Sequence, residues 1–346
     1  MGMPKKGNSG NSTDRYSIAT LGSHSALQIL HGAKQEGFQT IAICEKGREK
    51  PYRLFRVADE IITIQSFSEL PKITEELNKR NAILIPHGTY TGAMTQEQIE
   101  KLNVPYFGNR KILRWEYDRT MQREWLKKAG LRLPKIFAKP EEIDRPAIIK
   151  FYGAHGGKGF FLAKTAKEFR EKMKGKEGKP YIIQEYIVGA PIYAHYFHSP
   201  LNNEVEIMSF DKRYESNVDS IGRIAAKDQL DMGLNTSYNI TGNVPLAIRE
   251  SLLPEVIEMG EAVVKASKTL EKHGIIGPFS LETIITPELK FYVFEISARI
   301  VAGTNFFISA SPYADLRYGE NMSTGRRMAR EIKNAIETGR LSRILT

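Results

Sequence analysis

Apolar and polar positions alternate in two distinct ways along this chain. From residue 16 to 86, short runs rich in β-branched residues alternate with amphipathic stretches. Residues 16–21, 40–44, 60–64 and 82–86 read as buried strands, and the segments ending at Ala33 and Arg80 read as helices. Strands alternating with helices predict a parallel sheet with crossover connections, whose ligands bind at the carboxyl ends of the strands. Two loops fall there, Gly22-Ser-His-Ser25 and His87-Gly-Thr-Tyr90, each with a histidine, a glycine and a hydroxyl residue. Either loop alone is as well explained by turn chemistry as by phosphate binding. Two alike at one sheet edge favour a ligand site.

The pattern changes after Asn109. Residues 109–129 are charged and helical, with Gly130 as a C-cap, and 131–144 read as an extended connection. Residues 147–151 form a strand that carries Lys150. Tyr152-Gly-Ala-His-Gly-Gly-Lys-Gly-Phe160 follows, and then a second strand. Strand, glycine-rich loop, strand describes a flap able to close over phosphates, with Lys158 either in contact with them or on the surface. It is not a Walker A loop, because Gly159 stands where Ser or Thr should follow the lysine and no helix opens there. Residues 181–188 read as a strand, 191–199 and 204–210 as an antiparallel pair, 240–245 as a loop and 254–270 as a helix. Asp211-Lys-Arg-Tyr-Glu-Ser-Asn217 is a polar cluster or a solvated turn. Residues 322–339 form a basic helix, most simply a solvated face.

The densest chemistry lies in residues 279–297, two β-rich runs joined by Pro287-Glu288-Leu289-Lys290. A hairpin closing over those four residues pairs Thr286 with Phe291, Ile284 with Val293 and Glu282 with Glu295. The two carboxylates then share a face, with Cβ atoms roughly 5 Å apart. Like charges so placed repel unless a proton or cation sits between them, and two carboxylates with substrate phosphates suit magnesium. The bland alternative is a wet sheet face. Arg299 follows on the same side.

The chain has 346 residues, is 41% hydrophobic and 26% charged, and carries a formal net charge of +10. That length predicts two or three domains, and no apolar run is long enough for a membrane span. The first 14 residues lack a secretory signal and read as a disordered tail. Cys44 is the single cysteine, in an apolar strand, which excludes an internal disulfide. The positive charge is dispersed, with no zinc-finger spacing and no aromatic RNA-binding signature. This argues for phosphorylated small molecules and against nucleic acid. No nucleophile triad is visible.

In order, these parts resemble the ATP-grasp enzymes over nearly the whole chain past Asp14. The resemblance implies a Rossmann-like parallel α/β domain at 15–115, then an ATP-grasp fold of mixed α/β and α+β character. Its small subdomain would span 116–190 with the flap, and its large subdomain 191–346. It implies ATP contacts at Lys150, Gly156, Gly157, Lys158 and the linker Gln184, Glu185, Tyr186 and Ile187. Glu282 and Glu295 would hold Mg2+ or Mn2+, with Asn305 as a looser third ligand.

More closely, the chain is similar to the archaeal formate-dependent FAICAR synthetases. The similarity is carried by Ala19-Thr-Leu-Gly-Ser-His-Ser25, Pro86-His-Gly88, Phe107-Gly-Asn-Arg110-Lys-Ile-Leu-Arg-Trp-Glu116, Asp211-Lys-Arg-Tyr-Glu-Ser-Asn217, Ala226-Lys-Asp-Gln-Leu230, Ile240-Thr-Gly-Asn243 and Glu295-Ile-Ser-Ala-Arg299. This implies an ATP-dependent ligase that formylates AICAR in IMP biosynthesis through formyl phosphate. Its substrates would be AICAR, formate and ATP. His24, Thr89 and Asn243 would contact the nucleotide and Glu215 would contact ATP, with Lys150, Arg299 and His24 catalytic. A cytoplasmic homo-oligomer, trimer or hexamer, is implied by the same family. The sequence differs from the family pattern at Thr89, at Tyr152, His155 and Lys158 of the flap, and at Val301. The same residues also suit a ligase of another carboxylate or amine, or a non-catalytic nucleotide-binding relative. Retention of Lys150, Glu282 and Glu295 speaks against the last.

Overall fold

A computed structural model of the protein describes residues 12–151, 159–234, 239–309 and 311–346. It is built on three sheets. In the first, β1 (Ser17–Leu21), β2 (Gln39–Glu45), β3 (Glu60–Ile64) and β4 (Ala82–Leu84) lie parallel in the order β3-β2-β1-β4. β1 is buried along its whole length, as its unbroken apolar run requires of a strand covered on both faces. The strand order reverses between β1 and β4, so the loops after these two strands open into one crevice. α1 (Ala26–Gln35) follows the first of those loops.

α2 (Leu113–Tyr117) and α3 (Arg119–Lys128) replace the single helix expected over 109–129. Asp118 breaks it, because its carboxylate caps α3 by accepting from the N–H groups of Thr120 and Met121 at 2.8 and 2.9 Å. The connection expected over 131–144 contains a short strand, β5 (Ile136–Phe137). It joins β6 (Ala147–Phe151), β7 (Phe160–Ala163) and β8 (Tyr181–Glu185) in an antiparallel sheet of order β5-β8-β6-β7. β8 ends at Glu185, three residues short of the expected strand, because Tyr186 turns its N–H to Pro146.

The third sheet has order β11-β10-β9-β12-β13, from β9 (Ala190–Ser199), β10 (Glu204–Glu215), β11 (Ile240–Leu246), β12 (Gly277–Ile285) and β13 (Phe291–Ser297). Two sequence readings change here. Residues 211–215 continue β10 where a turn was one expectation, and 240–246 pair with them as an edge strand instead of a loop. Pro245 is tolerated because an edge strand needs hydrogen-bond donors on one side only. Along β9, Ala194 and Tyr196 face a core shared with Phe210, Phe279 and Leu281, covered by α4 (Leu253–Leu270). Tyr196 stacks on Phe279 at 4.8 Å and donates its hydroxyl to Val256. Period two then turns Tyr193 and His195 to the other face, where the site lies.

The basic helix, α5 (Thr324–Glu337), is not a solvated face. It packs on α1 so closely that a Cβ on Gly32 or Gly325 would fall within the other helix's backbone. Arg326 and Arg330 pair with Glu36 at 2.7 and 2.6 Å. Arg327 is 3% exposed, lies over Phe197, and holds Glu206 at 2.8 Å and Glu331 at 2.9 Å. The acids that neutralise this helix come mostly from other elements, which a local charge pattern does not reveal. No helix among the described residues is long and apolar enough to cross a membrane.

Arg327→Met should therefore leave Glu331 buried without a counter-charge and Glu206 with only Arg317 at 3.6 Å. The expected loss is about 3–5 kcal/mol of stability, read from urea unfolding midpoints. A loss under about 1 kcal/mol would show that the network is not structural.

Candidate active site

The hairpin places Glu282 opposite Glu295, as period two predicts, but by a different register. The tail pairs Ile285 with Phe291, Ile284 with Tyr292 and Thr283 with Val293, one residue off the expected Thr286–Phe291 and Ile284–Val293 pairs. A β-bulge at Phe294 then restores the register. Val293 is left in the core, while Phe294 and Glu295 both face the site.

Glu282 is 4% exposed, and one oxygen is taken by Arg213 of β10. Its Oε2 is buried and has no hydrogen-bond partner among the described residues. Burial above all, then Glu295, pushes the carboxyl up to about 8, outweighing Arg213 and Arg299. Arg213's own burial works against its charge, yet Glu282 and Tyr193 outweigh it and raise its pKa. Its guanidinium lies 4.4 Å over the Tyr193 ring. Among the described residues no group of three or more His, Cys, Asp or Glu could hold a metal ion. What exists is a carboxylate pair with one orphaned buried oxygen, which fits a divalent cation completed by substrate oxygens and water. Asn305 is not part of it: its amide is engaged by Gln28 at 2.8 Å and by the main-chain oxygen of His24 at 3.1 Å.

Two cavities meet at this pair. One, of about 340 Å³, lies between the second and third sheets and is lined by Lys150, Gln184, Arg119 and Phe294. The other, of about 190 Å³, lies between the first and third sheets and is lined by His24, His195, Asn243 and Glu282. Glu295 and Arg299 line both. Arg299 is fixed by Glu116 of α2 at 2.9 Å, whose other oxygen accepts the N–H of Ala298 at 2.8 Å. Burial raises the Glu116 pKa against the pull of Arg299. Lys150 stands 6.0 Å from the Phe294 ring centre, and burial followed by Arg119 lowers its pKa while Glu295 and Glu282 oppose.

The two histidine loops do converge. His24, in the left-handed region at φ 54°, stacks on His87 at 5.3 Å. His87 is fully buried, with Nε2 2.8 Å from the Leu21 carbonyl and Nδ1 accepting from the Thr89 N–H. Those partners fix the Nε2–H tautomer, and burial lowers its pKa to about 4. His24 is an exposed residue whose ring is packed against His87, and removal of that ring from water, then His87 and Arg299, lowers its pKa from the usual imidazole range.

The other expected residues are spread more widely. Thr89 lines neither cavity, and its N–H is turned to His87, while Gly88 and Thr91 border the larger one. Glu185 turns its carboxylate to the Lys135 N–H and to Arg145. Glu185, Tyr186, Ile187 and Glu215 line neither cavity. Gly156, Gly157 and Lys158 lie outside the described residues. Sequence reasoning missed Glu116, Arg119, His195 and Arg213. For Arg213 there was a signal: extending β10 by period two past Phe210 puts Asp211 and Arg213 on one face.

A family model described as "Protein of unknown function (DUF1246)" matches residues 18–137, and one described as "Domain of unknown function (DUF1297)" matches 162–346. The fold resembles an N5-carboxyaminoimidazole synthetase from Staphylococcus aureus complexed with ADP, with TM-score 0.61 at 18% identity over 84% of this chain and 72% of that one. Fold and cavities together define an ATP-grasp protein. A crystal structure of an IMP biosynthesis protein, PurP, from Thermococcus kodakaraensis superposes with TM-score 0.76 at 30% identity, covering 95% of this chain and all of that one. The 5-formaminoimidazole-4-carboxamide-1-(beta)-D-ribofuranosyl 5'-monophosphate synthetase of Pyrococcus horikoshii is 52% identical over 95% of this chain and 99% of its own length. That of Methanothermobacter thermautotrophicus is 47% identical over 97% and 96%. The chain belongs to this synthetase family.

With divalent cations removed, Glu282 should set a stability slope. Its folded-state pKa of about 8 lies above the ordinary 4.5, so the folded protein keeps a proton that the unfolded chain has released between these values. Stability is full below the lower value and falls as pH rises towards the upper one, by at most about 1.4 kcal/mol per pH unit. Melting temperatures of wild type and Glu282→Gln should diverge across that window. Parallel curves would refute the raised pKa.

Proposed function

We propose that this protein joins formate to the amine of AICAR at the expense of ATP, releasing FAICAR, ADP and phosphate in IMP biosynthesis. One observation carries the reading beyond family membership: a cavity lined by Lys150, Arg119 and Arg123 and a histidine-lined cavity share a wall made of Glu295 and Arg299. A ligase that activates one substrate and passes it to another needs such a junction.

The assigned roles follow from residue chemistry. ATP occupies the larger cavity, its phosphates drawn by Lys150, Arg119 and Arg299. Formate is a poor acylating agent, and transfer of the γ-phosphoryl group to it creates a good leaving group. That transfer depends on positioning and charge neutralisation more than on covalent chemistry by the protein. Glu282 and Glu295 would hold Mg2+ or Mn2+, which supplies charge neutralisation at the transferring phosphoryl group. Arg299, anchored by Glu116, faces the reacting oxygens from both cavities. The nucleotide occupies the smaller cavity with Asn243 and His24. Thr89, near the mouth of the larger cavity, would reach the nucleotide only by a shift of its loop.

ADP release should require ATP, formate, AICAR and a divalent cation together, since omission of any one removes a reactant or the charge clamp. Glu295→Gln should lower turnover by about 1,000-fold or more at saturating magnesium. ADP release indifferent to AICAR, or a Glu295→Gln variant within about tenfold of wild type, would overturn the assignment.

A further inference from the structure

The smaller cavity contains a dyad that no role above uses. His195 on β9 and Asp211 on β10 are each about 2% exposed at the side chain, with His195 Nε2 2.6 Å from Asp211 Oδ1. Asp211 Oδ2 accepts from the Asn243 amide at 2.5 Å. A Cβ at position 303 would overlap the Asp211 carboxylate, so Gly303 lets the segment after β13 close over the dyad. An ionised carboxylate only accepts, which puts the imidazole hydrogen on Nε2 and leaves Nδ1 a bare acceptor. That Nδ1 is buried and has no hydrogen-bond partner among the described residues, while the ring lines the cavity beside Asn243 and Arg299. A buried acceptor left unpaired is costly, so it marks a place for a ligand's N–H.

His24 is differently engaged across the cavity. Its Nδ1 is 2.7 Å from Ser25 Oγ and its ring is stacked on His87. The two histidines thus reach the cavity from different sheets and with different restraints.

We propose that His195, held in the Nε2–H tautomer by Asp211, takes the proton from the attacking amine. This rests on the smaller cavity being the acceptor site. As the amine nitrogen bonds to the formyl carbon, the carbon–oxygen bond to phosphate breaks. One amine proton passes to His195 Nδ1 and from there to the departing phosphate, giving the formamide and hydrogen phosphate. His195 is the catalytic residue of this step, and Asp211 is its positioning residue.

The test separates the two half-reactions. Formate-dependent positional isotope exchange in ATP reports phosphoryl transfer to formate, and kcat with AICAR reports the whole sequence. His195→Gln cannot take a proton. Asp211→Asn keeps the shape of the dyad but turns an amide donor to Nε2, driving the hydrogen onto Nδ1. Both variants should lose about 100-fold or more in kcat while KM for AICAR stays within about threefold and isotope exchange is unchanged. ATP binding and melting temperature verify the fold, and Asp211→Asn alone suffices if His195→Gln does not fold. Exchange falling in step with kcat, or kcat within about tenfold of wild type, would overturn the proposal. Asn243→Ala tests the underlying site reading: KM for AICAR should rise about tenfold or more. An unchanged KM there removes the acceptor site and this inference with it. A raised KM alongside an unaffected His195→Gln variant removes only the proton acceptor.

Discussion

A carboxylate buried beside a second carboxylate is the constraint on which this architecture turns. Nothing within the hairpin offsets the cost of desolvating Glu282 next to Glu295. The offset comes from Arg213, two strands away, and a guanidinium can reach only if β9 lies between β10 and β12 in an unbroken sheet. The polar face of that sheet is therefore held together by charge as its other face is by Tyr196, Phe210 and Phe279. Glu295 of that pair forms, with Arg299, the partition between the cavities, so the pair that is hardest to bury lies at their junction.

Charge is distributed unevenly about that partition. Lys150, Arg119 and Arg123 line the larger cavity alone, Arg213 the smaller one alone, and Arg299 lines both. The larger cavity therefore carries the greater positive charge, which favours a polyanion. Glu116 ties the two together by holding Arg299 at 2.9 Å.

Much of this could be read along the chain, and the failures share a cause. The β1 and β4 loops were legible because alternating strands and helices imply a crevice at their carboxyl ends. The Glu282–Glu295 pair was legible because period two is robust, yet the count succeeded by compensation: the hairpin tail lies one residue tighter, and the bulge at Phe294 returns the difference. A bulge leaves no mark in an apolar alternation. What could not be read were partners far apart in sequence. Glu116 and Arg299, and Arg327 with Glu206, meet only because sheets and helices bring them together. The basic helix misled for the same reason, since Glu36 and Glu206, which pair with its arginines, lie far away in the sequence. Asn305 misled differently: its position in the motif was right for a ligand, but Gln28 and the His24 carbonyl already use its amide.

The crossing of α1 and α5, glycine against glycine, binds an early part of the chain to a late one. β1 and α1 are synthesised first, and their apolar surface has its cover only when Met328, Ile332 and Ala335 arrive. The main chain of Tyr106 likewise waits for Thr346 to pair with it. On the ribosome, then, the first sheet can form its strands early but must remain open on one side through most of translation. Its exposed flank is a time-limited liability for aggregation, and the early and late segments that meet there become stable together.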